Sequence, residues 1–510
     1  MNIEYISQVK RVITAVLIVS VMIFAVGCTD KLSLENPNTQ TDANFWKNEE
    51  DVLSGLAATY KVLKDINRGY FGVRGVELSN GRGDDFFIRN DVQSLYQLST
   101  FTNNPTTTTP RDIYDGFFRG IFRANQVIEN TPNASIDEAK KAELIAEAKF
   151  LRALNYFYLI INFGDVPLIS SVPKEREQYF APPANQTDLW NFIIADLTEA
   201  KNTLPLNYSD VYIGRATSGA AIAQLGKVYL YMERWEDAAN ELDIITKAPY
   251  DYTLLDDYEH NFMAAYDNNK ESLFEVQMQN VGGPQPWAGE NANESQGTTV
   301  AQEFAPAEVA GWFEAFPTNK IFQAFQQEKT VDGDFDARMY ASLVWDYPGA
   351  LYYNRPFSTI KKQFGFNAMI RKYQNWRNND EGIFISENNE KVIRFADVLL
   401  MRAEALVQLG RIEEAYPLID RIRTRAKLAP LAAGKNQQAM MIEIMHQRML
   451  EFFREGLRFY DLRRWGKLAD EIAASDKEGR QFLTLPRHEL FPIPQDELNT
   501  NPNMVQNPNW

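Results

Sequence analysis

Gln224-Leu225-Gly226-Lys227-Val228-Tyr229-Leu230-Tyr231, followed by Trp235-Glu236-Asp237-Ala238-Ala239-Asn240-Glu241-Leu242, is the stretch on which the fold turns. Leu225, Gly226, Tyr229, Ala238 and Leu242 stand at the spacings of a tetratricopeptide unit, two antiparallel helices that touch where small residues face each other. Pro249 closes the pair, and the same spacing returns at Ala403, Leu406, Ala415 and Ile419 within 395–428.

Outward from this hairpin, helical periodicity continues in both directions. Thr187-Asp188 is expected to cap a helix over 189–203, stopped by Pro205. Residues 142–161 read as a strong helix that ends at Phe163-Gly164-Asp165-Val166-Pro167. Val52, Leu56, Tyr60 and Leu63 form one apolar face, and Phe117, Ile121, Ala124 and Ile128 form another. These pair as hairpins, 48–66 with 112–131 and 142–162 with 188–203, whose connecting loops have grown. Residues 74–109 are too long for a simple connector, which marks them as functional or disordered. Between 250 and 395 the character changes to irregular segments with short β-prone runs such as Leu273-Phe274-Glu275-Val276-Gln277. A last long helix is expected from about 437 to 455. The fold class is therefore mainly α, with helical hairpins packed against an irregular, loop-rich half holding few short strands.

Composition narrows the chemistry. The chain has 510 residues, a formal charge of -16 and a pI near 4.9, which opposes nonspecific binding to nucleic-acid phosphates. One Cys and three His exclude disulfide scaffolds, cysteine-ligated zinc, iron–sulfur clusters and a multi-histidine metal centre. Asp332-Gly333-Asp334-Phe335-Asp336 imitates the start of an EF-hand, but Ala337 and Leu343 replace the Gly and Glu the loop requires, leaving weak Ca²⁺ binding at most. No cofactor is expected. No GxSxG, P-loop or dinucleotide fingerprint appears, and no catalytic residue is assigned.

The single cysteine, Cys28, sits at an informative place. Lys10-Arg11 precede an apolar run from Val12 to Val26, too short for a membrane span, and Ala25-Val26-Gly27-Cys28 follows. Small residues before that Cys resemble a bacterial lipobox, although position -3 is Ala25 instead of the usual Leu. On this reading 1–27 is a lipoprotein signal peptide, Cys28 carries the lipid anchor and 28–47 is a polar lipidated tether. Residues 48–250 are then a helical N-terminal region and 251–510 a C-terminal region.

Glu451-Phe452-Phe453-Arg454-Glu455-Gly456-Leu457-Arg458-Phe459-Tyr460-Asp461-Leu462-Arg463-Arg464-Trp465-Gly466 resembles the signature of the SusD/RagB family. Asn44-Phe45-Trp46, Phe163-Gly164-Asp165-Val166-Pro167, Arg394-Phe395-Ala396-Asp397 and Leu490-Phe491-Pro492-Ile493-Pro494 agree with it in order along the mature chain. The resemblance implies four tetratricopeptide-like units beside a loop-rich half. It also implies an outer-membrane lipoprotein, facing the cell exterior, that binds an oligosaccharide or peptide nutrient and sits on a SusC-like TonB-dependent transporter, with no chemistry of its own. Gln447 departs from the usual Glu, and Thr29-Asp30-Lys31 is less acidic than the family's export signal. Arg458, Asp461, Arg463 and Arg464 beside Glu455 are spaced for structural ion pairs.

Sugars present apolar C–H faces, so aromatic side chains on polar loops are the natural platforms, with carboxylates, amides and Arg for the hydroxyls. Three stretches supply them. The first contributes Arg82, Asp85, Phe86, Phe87 and Tyr96; the second Trp287; the third Tyr352 and Tyr353, with Trp376 further on. Aromatic residues at helical spacing, such as Tyr156, Phe157 and Tyr229, are expected in the core. Two other classes fit the same chain: a tetratricopeptide adaptor holding a periplasmic protein in its helical groove, and a surface glycoside hydrolase.

Overall fold

The computed structural model describes residues 45–65, 68–72, 81–281, 296–360, 366–382 and 386–510, together with 8, 9 and 11. Most of the signal segment, Cys28, most of the tether and Trp287 lie outside the described residues. Among the described residues, no helix is long and apolar enough to cross a membrane.

Eight helices build the scaffold: α1 (Glu49–Leu63), α2 (Thr108–Asn130), α3 (Glu138–Phe163), α4 (Gln186–Thr203), α5 (Ser218–Tyr231), α6 (Trp235–Ile244), α7 (Phe395–Gln408) and α8 (Ile412–Arg425). Each packs on the next, so the four expected hairpins form one continuous stack. The chain leaves the stack after α6 and resumes it with α7, which lies directly against α6. Two further helices, α9 (Gln437–Glu451) and α10 (Arg458–Arg464), follow, and α9 packs on α7 and α8.

Local chemistry sets the boundaries. Asn48 caps α1 by accepting from the Asp51 amide, and Asp51 reciprocates, a capping box. Asp137 caps α3, and Gly164, at φ 74, ends it where an added Cβ would stand 2.8 Å from Leu490. Helix α4 begins earlier than the expected Leu189, because Asn185 supplies the cap and the Asp188 amide donates to it. In the hairpin read first, an added Cβ on Gly226 would stand 2.5 Å from Leu242, so the close approach of α5 and α6 requires the glycine.

The rest of the chain is irregular. Its strands pair in twos, antiparallel: β1 (Phe86–Ile88) with β3 (Ala315–Pro317), β2 (Ser272–Val276) with β8 (Glu390–Arg394), β4 (Leu343–Trp345) with β7 (Ala368–Ile370), and β5 (Leu351–Tyr352) with β6 (Arg355–Pro356). The long 74–109 stretch contains β1 and a short helix, Gln93–Ser99. The main hydrophobic core runs through both halves of the chain. A second, smaller core under the loops is built from residues such as Val309, Phe313, Phe316, Val344, Phe357 and Met369.

The helical half and the loop-rich half are joined by charge as well as by apolar packing. The buried Arg394 side chain, at the end of β8, reaches Glu271 (2.5 Å), Glu451 (3.0 Å) and Glu455 (2.7 Å). Arg425 of α8 pairs with Glu271 and Glu451, Lys372 with Glu455, and Arg338 with Asp336 and Glu451. Further along, Arg448 bridges Asp397 and Asp461, and Arg458 clasps Asp84 with two bonds of 2.7 and 2.8 Å. The charged signature of 451–466 is thus largely ion-paired: Arg464 meets Glu404 and Asp461, whereas the half-buried Arg463 donates to the Ile161 and Glu489 carbonyls.

Candidate functional site

The smaller core brings four half-buried aromatic side chains to its perimeter: Phe87, Tyr347, Phe366 and Trp376. They form two groups. Strand pairing places Phe87 opposite Phe316, and Phe366 closes that group at 4.2 Å from Phe316 and 5.4 Å from Phe87 between ring centroids. In the second group, Arg371 donates to the Tyr347 hydroxyl (3.3 Å) and lies 3.4 Å from the Trp376 ring centroid. Arg377, exposed, lies over the same indole at 4.1 Å. Glu259 ties this group together, accepting from Trp376 Nε1 at 2.8 Å and from Arg377 at 2.7 Å. Burial lowers the Arg371 pKa, with Glu259 opposing the shift. Asn354 donates to the Arg377 carbonyl and Arg355 to the Asn379 carbonyl, so amides and guanidinium groups flank the indole. Aromatic faces with planar polar neighbours suit a ligand that offers apolar C–H faces and hydroxyls at its edges.

Several side chains nominated from sequence stand elsewhere. Arg82 is buried, donates to Asn162 at 2.7 Å, and lies 3.9 Å from the ring centroids of both Phe459 and Phe491. Phe86 is fully enclosed and stacks on Phe453. Tyr352 and Tyr353 are also buried. Tyr353 and Asn354 both take positive φ (51° and 55°) in the two-residue turn between β5 and β6. The Tyr353 hydroxyl donates to Glu381 at 2.5 Å, and that of Tyr352 to the Ile370 carbonyl at 2.8 Å. Arg82, Asp85, Phe86, Tyr352 and Tyr353 therefore make scaffold instead of ligand surface, because each is closed in by neighbouring protein. Tyr96 is half-buried and lies apart, donating to Glu478 at 2.6 Å, a bond that pushes its pKa up to about 12. Phe87 and Trp376 are the nominated residues that reach the rim. Phe366, Arg371 and Glu259 are not among the residues nominated from sequence, whereas Tyr347 stands in the third nominated stretch, 345–355. The Phe364-Gly365-Phe366 run, aromatic and broken by Gly, was the available signal for Phe366.

In the acidic 332–336 loop, Asp336 turns inward to Arg338 at 2.7 Å, which removes one oxygen donor from the EF-hand-like run. Among the described residues no group of three His, Cys, Asp or Glu side chains is placed to hold a metal ion.

Asp85 is the unusual acid of this region. It is 1% exposed, and neither carboxyl oxygen accepts a hydrogen bond from a neighbouring residue. Burial, reinforced by adjacent Asp84, pushes its pKa up to about 7. Asp84 goes the other way: burial would raise it, but Arg458 and Lys320 hold it down to about 2. The folded state thus binds the Asp85 proton more tightly than the unfolded chain, whose Asp titrates near ~3.9. Stability is lost as pH rises from about 4 through 7. Asp85→Asn should therefore be more stable than the parent above pH 7, the difference closing towards pH 4. Equal denaturation midpoints at pH 8 would contradict the assignment.

The profile of the SusD family matches residues 270–510, and a profile described as starch-binding associating with outer membrane matches 38–230. A crystal structure of a SusD superfamily protein from Bacteroides vulgatus is 35% identical, covers 91% of this chain and 100% of its own, and superposes with a TM-score of 0.85. A laminarin-binding SusD-like protein is 29% identical, covers 91% of this chain and 100% of its own, with a TM-score of 0.76. SusD-like protein P25 of Formosa agariphila is 25% identical over 95% of this chain and 96% of its own.

Proposed function

This chain belongs to the SusD family, and from that premise we propose that it captures an oligosaccharide nutrient on the aromatic rim and delivers it unaltered to a SusC-like TonB-dependent transporter. The rim carries the reading: Phe87 and Phe366 on one side, and Trp376 with Arg371 and Glu259 on the other, rise from one small core. Rings offer stacking faces, and the exposed Asn354 amide offers a polar partner to sugar hydroxyls. The laminarin-binding relative supports the ligand class. Delivery without turnover is supported by the relatives described as binding proteins.

Anchoring follows from the lipobox-like Ala25-Val26-Gly27-Cys28. One acyl chain anchors only reversibly, whereas each buried CH₂ contributes about 0.8 kcal/mol, so several chains on Cys28 would hold the body at the outer membrane. The profile described as associating with outer membrane supports that location. Cys28→Ser should move the protein from the membrane fraction to the soluble fraction. Continued retention in membranes would remove the anchor from the proposal.

The direct test is titration of the purified protein with glycans and peptides while products are monitored by chromatography. Saturable glycan binding with intact glycan recovered is expected. Release of shorter sugars would overturn capture without turnover, and binding of peptides alone would overturn the ligand class.

A further inference from the structure

A cleft of about 290 Å³ opens at the junction of the two halves, between the α4–α5 connector and the segment that follows α6. It shares no residue with the aromatic rim. Tyr250 and Tyr252 line it, nearly parallel at 14° with ring centroids 6.3 Å apart, as alternate residues of an extended segment would be. Both rings are half-buried and both are held. The Tyr250 hydroxyl donates to Ser218 Oγ at 3.2 Å, and that of Tyr252 meets Thr217 Oγ1 at 3.4 Å. Beneath Tyr252, an added Cβ on Gly219 would stand 2.5 Å from the hydroxyl oxygen, so that ring lies as close to α5 as a glycine permits.

A third ring completes the wall. The Arg215 guanidinium lies 4.8 Å from the Tyr208 ring centroid. Its Nε donates to Glu147 at 2.9 Å, and Nη2 is paired with the same carboxylate, which fixes the guanidinium against that ring. At the mouth Lys270 and Asp251 pair at 3.1 Å, and both are largely exposed, so parting them costs little.

We propose that this cleft is a second carbohydrate subsite, taking a neutral oligosaccharide whose consecutive rings lie along Tyr250 and Tyr252. Lys270 and Asp251 bind hydroxyls at the entrance. Arg215 is paired with Glu147 and Lys270 with Asp251, so these four groups carry no net charge and suit a neutral sugar. The inference takes its ligand class from the function proposed above and its place from this geometry alone.

The test is calorimetric titration with laminarihexaose and with maltohexaose of four proteins: the parent, the rim variant Phe87→Ala/Trp376→Ala, the cleft variant Tyr250→Ala/Tyr252→Ala, and Lys270→Trp. The last blocks the entrance from an exposed position and serves if loss of the tyrosines disturbs folding. Two binding steps are expected in the parent. The rim variant should retain one step, and the cleft variant or Lys270→Trp should lose that step by at least tenfold. A parent-like titration for both cleft-directed changes would overturn the subsite while leaving the rim reading intact. Loss of all binding on cleft substitution, with the rim variant unaffected, would overturn the rim and keep the cleft. Absence of binding to either hexasaccharide by the parent would overturn both.

Discussion

Arg394→Met is expected to destabilise the protein by about 3–5 kcal/mol, enough to lower its thermal midpoint and its yield of folded material. Four cations (Arg338, Lys372, Arg394, Arg425) and four carboxylates (Asp336, Glu271, Glu451, Glu455) interlock in this cluster. Arg394 touches three of the carboxylates and is 1% exposed. Burial raises the pKa of Glu451, and the surrounding Arg425, Arg394 and Arg338 overcome that effect and hold it far below the ordinary range. Remove Arg394 and an enclosed negative charge remains with fewer partners, the costly case for buried ions. The cluster also links β8 to α8, α9 and the loops, so its loss should loosen the halves against each other. Arg394→Lys, which keeps the charge and loses the fork of donors, should fall between the parent and Met. Chemical denaturation of the three proteins, followed by tryptophan fluorescence, provides the comparison. An unchanged midpoint for Arg394→Met would show that the cluster does not hold the halves together.

Loss of the rim aromatics should have the second large effect, on binding instead of stability. Phe87→Ala/Phe366→Ala/Trp376→Ala is expected to weaken glycan affinity at this face by more than tenfold, which corresponds to at least ~1.4 kcal/mol. Aromatic anchors in contact with a ligand commonly contribute about 2 kcal/mol or more when truncated. Trp376 carries an added consideration, since Arg371 and Arg377 already lie over its ring. A sugar stacking where Arg377 now lies must displace that exposed side chain, so Arg377→Ala should preserve or improve affinity while Trp376→Ala weakens it. Tryptophan fluorescence quenching by glycan would report both. Equal affinity for the parent and the triple variant would place the ligand elsewhere.

Legibility differed by element. The paired helices were readable because their determinants are local: apolar periodicity and the Gly226–Leu242 approach act within a few turns, although α3 begins a turn before the expected 142 because Asp137 caps it. The Asp188 boundary failed by a turn because two cap-forming residues stand close together and Asn185 takes the cap. The site was readable only in part. Phe86 and Phe87 are adjacent and identical in type, yet one is enclosed against Phe453 and the other reaches the rim. Alternation along β1 sends them to opposite faces, and only the pairing of β1 with β3 determines which face is outward. Tyr352 and Tyr353 looked like exposed loop aromatics, but the tight turn directs them to Ile370 and Glu381, partners that become neighbours only in the folded chain.

The sequence by itself therefore determined the helical class, the hairpin units, the family resemblance and the lipobox reading, since each is written in short-range spacing or an ordered set of motifs. Tertiary structure alone decided how the stack continues from α6 to α7 and which aromatics remain open to a ligand. It also decided that the charges of 451–466 close upon Arg394, Asp84 and Glu404, far away in the chain. The physical reason is common to all three: burial and ion pairing depend on what long-range packing brings alongside a residue, and local spacing carries no record of that neighbour.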